Sequence, residues 1–542
     1  MMAMNAGEAS AQGKASKTHT ETFPVVAAQK GDKAFTLEDL NFGGNNYRNM
    51  VAKNRWCTWW GDELVRQDID ACYLVNKTTG KETKLFSIDQ INQWIAPTKD
   101  IKVRALYNAQ FPFAGKSIVM VSNGSKLFTI DFKKHKLISE MEYAEGESLL
   151  EANAQQNAFA YLKGSNLYVR TFDVANYNAM TKDKKSHDFQ ISTDGSREIV
   201  YGQSVHRDEF GISKGTFWSP NGEKLAFYRM DQSMVTDYPQ VDIPEIGFDH
   251  PETQSCIATP APDKYPMAGE TSHKVTVGVF DCLTGKTIYL KAGDPTDRYF
   301  TNIAWSPDGK TIYMFELNRD QNDCRLTAYS AETGEKTGEL YRETDEKYVE
   351  PCHPIQFLPW DSSSFIMQSR KDGYNHLYLC TLGKHGSRMA SNTESLEIKQ
   401  LTSGKWEVMD VLGFNAKNKS IIIASNECSP IQRNIFSVNT KTGKRKMIDD
   451  CGKGWHNATL SQNGEYIYDN YSTPTLPRKI AIVNTANGKR TAYFTAENPW
   501  KGYNVPEYSC GSIKANDGET DLYYRMVKPV IFDPNKKYPT II

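Results

Sequence analysis

The chain has 542 residues, with 64 lysines and arginines against 65 aspartates and glutamates, so its formal net charge is −1. This balance excludes a typical nucleic-acid-binding protein, because there is no basic excess to neutralise phosphates. No apolar run approaches the roughly 20 residues of a membrane-spanning helix, so no transmembrane span is expected. The ten cysteines lack zinc-ligand spacing, and the composition predicts a large globular chain without a metal or organic cofactor.

Residues 1–40 are interpreted as a separate N-terminal segment. Residues 1–14 contain no continuous apolar stretch, but Ala9–Ala11 precedes Gln12 in the pattern of a signal-peptidase cleavage site. This pattern is either the remnant of a signal peptide or a chance match. The first interpretation predicts a periplasmic, cell-envelope or secreted protein.

A five-residue turn pattern, Trp-Ser-Pro-Asx-Gly, occurs at Trp218–Gly222 and at Trp305–Gly309. A weaker copy lies at Leu460–Gly464. The two full copies precede strand-like stretches, Leu225–Tyr228 and Ile312–Phe315. Because proline and Asx-Gly favour tight turns, each copy predicts a turn that is followed by a β-strand.

A second turn pattern has glycine at its fifth position and strand-like flanks. Its five copies are Asn76–Lys81, Asp281–Lys286, Ser330–Glu335, Asn439–Lys444 and Asn484–Lys489. Glycines of neighbouring copies lie 49 residues apart at Gly285 and Gly334, and 45 apart at Gly443 and Gly488. A period of about 50 residues with several short strands per unit is typical of propeller blades. The sequence therefore predicts an all-β fold, a β-propeller of about eight blades over residues 41–500.

Two segments interrupt the repeat. Residues 234–274 contain six prolines and neither turn pattern, and they are interpreted as a long insertion in one blade. The repeat ends near residue 501, after which strand-like Leu522–Val527 is followed by Tyr538–Ile542. Because the sequence ends within an apolar pattern, residues 501–542 are expected to begin a further domain that continues beyond Ile542.

One Gly-x-Ser-x-Gly sequence occurs at Gly211–Gly215, with Ser213 at its centre. A nucleophile elbow requires a strand before the serine and a helix after it. The following residues, Thr216–Pro220, instead match a strand that ends in a turn, so Ser213 is not expected to be a nucleophile. His206 has no identifiable nucleophile or acid partner and is expected to be structural.

Several motifs in chain order together indicate a family. They are His206–Ile212, Gly215–Pro220, Leu225–Asp231, Lys264–Gly269, Asn318–Asn322 and Ser369–Tyr378. They resemble the N-terminal region of the dipeptidyl peptidase IV branch of the prolyl oligopeptidase family, and within it most closely the bacterial prolyl tripeptidyl peptidases and dipeptidyl peptidases IV. The resemblance covers nearly the whole chain beyond residue 35.

The resemblance implies an eight-bladed propeller that is joined to an α/β-hydrolase domain, of which residues 501–542 would be the start. The catalytic serine, aspartate and histidine and an oxyanion tyrosine are then expected beyond Ile542. The full-length protein would be a serine exopeptidase that releases di- or tripeptides after proline. Its partners would be peptide substrates with proline near a free amino terminus; no cofactor is implied, and a homodimer is left open.

In the resembled family, a glutamate in the motif that here contains Arg207 binds the substrate's amino terminus. That role is carried over to Glu209, with Asp208 as a second candidate, because a carboxylate in a partly desolvated cleft binds an ammonium group strongly. Dipeptidyl peptidases have two or three consecutive glutamates there, so the single Glu209 favours tripeptide release. A solvated acidic turn is the alternative, and Arg207 either pairs with Asp208 or orients substrate carbonyls.

A second function remains open from the sequence: a stand-alone propeller that binds peptides or proteins without catalysis. The lack of a recognisable catalytic serine in these residues favours this alternative, whereas the strand-like C-terminal residues disfavour it. A catalytically inactive member of the family is a third interpretation.

Overall fold

The computed structural model describes residues 23–95, 102–142, 144–172, 186–243, 257–383 and 396–542. The chain forms two compact units. The first contains the described residues up to Lys53 together with residues 472–478 and 496–542, and the second contains residues 54–471 and 479–495. In these described ranges, no helix is long and apolar enough to cross a membrane.

The first unit begins with a short strand and two single-turn helices. They are β1 (Val25–Val26), α1 (Leu37–Leu40) and α2 (Tyr47–Met50). Thr36 and Asp39 form a capping box at the start of α1, in which the Thr36 N–H donates to Asp39 Oδ2 at 2.8 Å. This reciprocal cap gives a very short helix a defined first turn.

The second unit consists, in its described part, of eight antiparallel sheets that follow one another along the chain. The first sheet is formed by β2 (Cys57–Trp60), β3 (Glu63–Gln67), β4 (Ala71–Val75) and β5 (Glu82–Ser87), and is followed by α3 (Ile88–Ile95). The second sheet is formed by β6 (Ile118–Asn123), β7 (Lys126–Asp131) and β8 (Lys136–Glu142). The third sheet is formed by β9 (Glu147–Ala152), β10 (Ala158–Lys163), β11 (Asn166–Phe172) and β12 (Ser186–Gln190).

The fourth sheet contains the insertion that the prolines predicted. It begins with β13 (Ile199–Tyr201), β14 (Thr216–Trp218) and β15 (Lys224–Asp231). The insertion follows, with β16 (Asp237–Tyr238), β17 (Val241–Asp242), β18 (Thr259–Pro260) and β19 (Asp263–Lys264) paired as two short ribbons, β16 with β19 and β17 with β18. The sheet is completed by β20 (Lys274–Asp281) and β21 (Lys286–Tyr289).

The remaining four sheets have four strands each. The fifth is formed by β22 (Arg298–Trp305), β23 (Thr311–Asn318), β24 (Asp323–Ser330) and β25 (Lys336–Thr344). The sixth is formed by β26 (Gln356–Leu358), β27 (Asp361–Ser369), β28 (His376–Leu382) and β29 (Leu396–Gln400). The seventh is formed by β30 (Val408–Asn415), β31 (Ser420–Ser425), β32 (Asn434–Asn439) and β33 (Arg445–Met447), and the eighth by β34 (Trp455–Leu460), β35 (Tyr466–Thr473), β36 (Leu476–Asn484) and β37 (Arg490–Thr495).

The two turn patterns of the sequence occupy fixed positions in these sheets. The tryptophan pattern joins the first strand to the next in the fourth, fifth and eighth sheets, and in each copy the glycine N–H donates to the serine carbonyl three residues earlier. The five copies of the glycine pattern join the last two strands of the first, fourth, fifth, seventh and eighth sheets, with glycine φ between 67° and 76°. The two turn patterns therefore recur at equivalent positions in several of the sheets, as the sequence predicted.

The last sheet packs on the first. Leu64 and Val75 of the first sheet form one buried cluster with Tyr468, Ile480 and Ile482 of the eighth. Similar clusters join the first sheet to the second and each of the third to seventh sheets to the next. The eighth sheet thus packs on the first, and the predicted β-propeller is confirmed.

The first unit also contains the last two strands, β38 (Tyr508–Lys514) and β39 (Asp521–Val527). With β1 they form a three-stranded antiparallel sheet in the order β1–β38–β39. Strand β39 is an edge strand of this sheet, and every one of its residues is exposed.

The eighth sheet contains a buried charged pair. The side chains of His456 and Asp469 have no exposed surface, and Nδ1 of His456 lies 2.9 Å from an Asp469 oxygen. Nε2 of His456 donates to the Lys453 carbonyl at 3.0 Å, so both ring nitrogens face acceptors. Burial alone lowers the pKa of His456, but the bonds to Asp469 and Cys451 outweigh it and raise the pKa to about 10.

Replacement of Leu64 by alanine should weaken ring closure. Leu64 is fully buried between the first and last sheets, so the lost packing should lower the free energy of unfolding by about 2–5 kcal/mol. Urea denaturation measures this quantity. Leu283→Ala, at a turn position that is 75% exposed, is the matched control and should change the unfolding free energy by less than about 0.5 kcal/mol. Equal effects of the two substitutions would contradict the closure.

The His456–Asp469 pair should make stability fall at alkaline pH. Because the folded-state pKa of His456 lies above its ordinary value of 6.5, its stabilising contribution is complete below pH 6.5 and is lost as the pH rises through about 10. The free energy of unfolding, measured in urea from pH 6 to pH 10, should therefore decline. The double variant His456→Gln/Asp469→Asn should have a flatter profile, and an unchanged slope would overturn the assignment.

Candidate functional site

The first strand of the fourth sheet is interrupted by a loop. Strands β13 and β14 both pair with β15, and residues 202–215, here called the first-strand loop, leave the sheet between them. Both ends of the loop form hydrogen bonds with the backbone of Tyr228. The Gly202 N–H donates to the Tyr228 carbonyl, and the Tyr228 N–H donates to the Gly215 carbonyl, each at 2.9 Å. A Cβ atom on Gly215 would lie 1.9 Å from the Gln203 oxygen, so only glycine fits where the two ends meet.

The centre of this loop has a left-handed backbone. In the segment His206–Gly211, every residue except Glu209 has a φ between 54° and 71°. For a non-glycine residue this conformation costs about 1–2 kcal/mol. Glu209 itself is extended, with φ −63° and ψ 163°. Strain of this kind persists only where the surroundings over-determine the conformation, and it is typical of functional sites.

Two buried side chains, His206 and Phe210, attach the loop to β22 of the fifth sheet. The Phe300 backbone N–H donates to His206 Nε2 at 3.2 Å. The Tyr299 ring lies 5.0 Å from the His206 ring and 5.0 Å from the Phe210 ring. The residues on either side of Asp208 and Glu209 are therefore fixed, while these two acidic residues remain at the surface.

A bulge in β22 adds a polar clamp. Asn302 lies where the register between β22 and β23 shifts, and its φ is 54°. Its Nδ2 donates to the Phe210 carbonyl at 3.1 Å and also to the Pro351 carbonyl. A Cβ atom on Gly211 would lie 2.2 Å from the Cys352 oxygen, so the loop and the segment 350–353 are in close contact.

The exposed face of the loop presents Arg207, Asp208 and Glu209. Arg207 pairs with the insertion rather than with Asp208: its Nη1 lies 2.6 Å from Asp263 Oδ2, and its guanidinium lies 5.1 Å from the Tyr265 ring centroid. Within the described residues, no hydrogen bond or ion pair engages the side chain of Asp208 or of Glu209. Both carboxylates are available to a ligand.

Further charged residues lie near Glu209. Burial raises the pKa of the Cys352 thiol, the charges of Glu350 and Glu209 raise it further, and Arg370 lowers it. Glu209 and Arg370 thus act on the same thiol. Arg370 itself forms an ion pair with Glu407, at 3.0 Å.

The other candidates from the sequence do not form a catalytic group. Ser213 is exposed and is followed by strand β14, so the helix that a nucleophile elbow requires is replaced by a strand. His206 bonds to His273 Nε2, at 2.7 Å, and to a backbone N–H. The nine described cysteines have free thiols, and Cys256 lies outside the described residues.

Sequence reasoning missed three residues that shape the site. Asp263 pairs with Arg207, His273 bonds to His206, and Asn302 holds the loop carbonyl. Asp263 directly precedes the motif Lys264–Gly269, and this position could have indicated its importance. His273 and Asn302 lie outside every motif, and only the folded chain brings them to the loop.

Comparison with known proteins gives one family match. A family model described as the dipeptidyl peptidase IV N-terminal region matches residues 113–478. This range includes the first-strand loop, the insertion and the bulge at Asn302. The match covers well over half of the chain.

Similar curated proteins come from fungi and are named as candidate dipeptidyl-aminopeptidases B. The protein of Pyrenophora tritici-repentis is 24% identical, over 96% of this chain and 58% of its own length. The protein of Chaetomium globosum is 27% identical, over 72% of this chain and 42% of its own length. The chain thus spans about half the length of these relatives.

Two solved structures are also similar. A candidate dipeptidyl aminopeptidase IV from Bacteroides ovatus is 42% identical, with a TM-score of 0.81 over 94% of this chain and 69% of the other. Porphyromonas gingivalis dipeptidyl peptidase 4 is 21% identical, with a TM-score of 0.71 over the same shares, and this likeness shows the fold alone. From the family match and the 42% identity, the chain belongs to the dipeptidyl peptidase IV family, to whose N-terminal region it corresponds.

Proposed function

We propose that this chain is the propeller portion of a serine exopeptidase that releases di- or tripeptides after proline from the amino terminus of peptides. The observation that carries the proposal is the exposed pair Asp208 and Glu209 on a strained, tightly held loop. Membership of the dipeptidyl peptidase IV family and the names of the relatives support the reaction class.

Glu209 is assigned as the anchor for the substrate's α-ammonium group, with Asp208 as a second acidic contact. Because Arg207 is compensated by Asp263, the loop does not neutralise its own carboxylates. A hydrogen bond to a charged group contributes about 1.5–3 kcal/mol, which distinguishes a free amino terminus from a blocked one. The strained backbone fixes the main chain of Glu209 before the substrate arrives, so little binding energy is lost to ordering the loop.

Bond cleavage is assigned to an α/β-hydrolase domain of the full-length protein, to which the propeller gates access. There a serine would attack the carbonyl, a histidine held by an aspartate would take its proton, and an oxyanion hole would stabilise the intermediate. The sheet of the first unit supports this assignment. Its edge strand β39 exposes Leu522, Met526 and Val527, and apolar edge strands are normally paired or covered. Residues 501–542 are therefore proposed as the first strands of that domain.

Glu209→Gln in the full-length protein should raise KM about 10- to 100-fold for substrates with a free amino terminus, because the charge-assisted bond is lost. The turnover number should change less than about threefold, since the catalytic groups are untouched. Hydrolysis of Ala-Pro and Ala-Ala-Pro p-nitroanilides measures both constants and also shows whether di- or tripeptides are released. Asp208→Asn, tested on both substrates, apportions the role between the two carboxylates.

Glu332→Gln, at an exposed hairpin turn of the fifth sheet, is the matched control and should leave KM unchanged. KM for an N-acetylated substrate should be equally high for wild type and for Glu209→Gln, because its terminal nitrogen is an uncharged amide. Unchanged KM of Glu209→Gln with free amino termini would reject the anchor. A full-length protein that binds peptides but never cleaves them would favour the stand-alone binding propeller.

A further inference from the structure

The insertion of the fourth sheet holds the first-strand loop through a pair of buried histidines. His206 Nδ1 lies 2.7 Å from His273 Nε2, and His273 immediately precedes β20, at the end of the insertion. Both side chains are buried, 2% and 4% exposed. This contact joins His206, the neighbour of Arg207, to the end of the insertion, 67 positions later in the chain.

The protonation states of the two rings follow from their partners. The Phe300 N–H donates to His206 Nε2, so that nitrogen accepts and carries no proton. The proton of neutral His206 is then on Nδ1, which donates to His273 Nε2. His273 must accept at Nε2 and therefore carries its own proton on Nδ1. A proton on either accepting nitrogen would set two N–H groups against each other.

The charges around the pair agree with two neutral rings. Burial, and then the neighbouring His273, lower the pKa of His206 well below its usual value. Burial, followed by the positive charges of Arg207 and Arg319, lowers the pKa of His273 to about 4. The Tyr299 ring also packs against His206, edge to face. The bond is thus present throughout the neutral pH range.

The insertion is tied to the loop at a second point and to the fifth sheet at a third. Asp263 and Tyr265 engage Arg207. Arg319, which follows β23, donates to the Glu270 carbonyl and pairs with Asp297 at 2.9 Å. The insertion therefore connects the exposed face of the loop to a neighbouring sheet, which is what a strained segment needs in order to keep its conformation.

We propose that His273 is a positioning residue for Glu209. Its Nε2 accepts the hydrogen bond from His206 Nδ1, and this bond keeps the first-strand loop left-handed. The Glu209 carboxylate is thereby directed to the substrate's amino terminus. This inference rests on the proposed function of Glu209. Without the acceptor, His206 loses a buried bond and the residues on both sides of Glu209 can relax to negative φ. The carboxylate would then move although no residue that contacts substrate has changed.

The test compares two replacements of His273 in the full-length protein. His273→Leu removes the acceptor at similar size and should raise KM for Ala-Pro and Ala-Ala-Pro p-nitroanilides about 5- to 50-fold, with the turnover number within about threefold. His273→Gln retains an acceptor oxygen and should restore KM to within about threefold of wild type. The double variant with Glu209→Gln should have the KM of Glu209→Gln alone, because the two changes act on one interaction.

Hydrogen exchange of the peptide that covers residues 202–215 provides the readout that is independent of activity. Exchange should accelerate in His273→Leu and remain at the wild-type rate in His273→Gln and in Glu209→Gln. If Glu209→Gln leaves KM unchanged, the proposed function fails, whereas the exchange data still decide whether His273 holds the loop. If Glu209→Gln raises KM and His273→Leu does not, or if His273→Gln is as impaired as His273→Leu, the positioning role is overturned.

Discussion

The contact between the first and the eighth sheet is the constraint on which the second unit depends. Each sheet has only two faces, and an open series of eight would leave the outer faces of its two end sheets exposed to water. The buried cluster around Leu64 and Ile480 removes both exposed faces at once. Tryptophans reinforce neighbouring first strands: Trp59 donates to Thr459, Trp218 to the Glu151 carbonyl and Trp305 to the Phe217 carbonyl.

Closure explains why a strained loop can persist in the fourth sheet. Its ends are fixed to one residue, Tyr228, inside a sheet whose two faces are both packed. The cost of several left-handed residues is offset by contacts with the fifth sheet and with the insertion, none of which is local in sequence. A loop on an isolated sheet would lack those partners and would relax. Rigid surroundings thus hold the backbone of Glu209 out from the sheet.

Much of this architecture could be predicted from the sequence because its determinants are local. A turn such as Trp305–Gly309 specifies its own backbone, and glycines at a period of about 50 residues mark equivalent hairpins in successive sheets. The six prolines likewise marked an insertion. Asp208 and Glu209 could be proposed as a site because they lie within one motif.

The remainder of the site depends on packing between distant segments. His273 reaches His206 only because the insertion returns to the sheet at β20, and Asn302 reaches Phe210 only because β22 has a bulge. Neither residue has a sequence neighbour that indicates its partner. Arg207 illustrates the same limit: Asp208 is adjacent in sequence, but the actual partner is Asp263, which lies 56 positions away along the chain.

The charge distribution links these observations to selectivity. A chain with a net charge of −1 cannot attract cationic ligands through its overall field. The proposed selectivity for an ammonium group would instead rest on a local imbalance: Arg207 pairs with Asp263 and Arg370 with Glu407, whereas Asp208 and Glu209 have no partner among the described residues. The arginine and the lysine of the loop, Arg207 and Lys214, are thus both held in ion pairs, with Asp263 and Glu151. Their pairing leaves the exposed carboxylates of Asp208 and Glu209 without a partner, and the insertion contributes to this charge balance through Asp263.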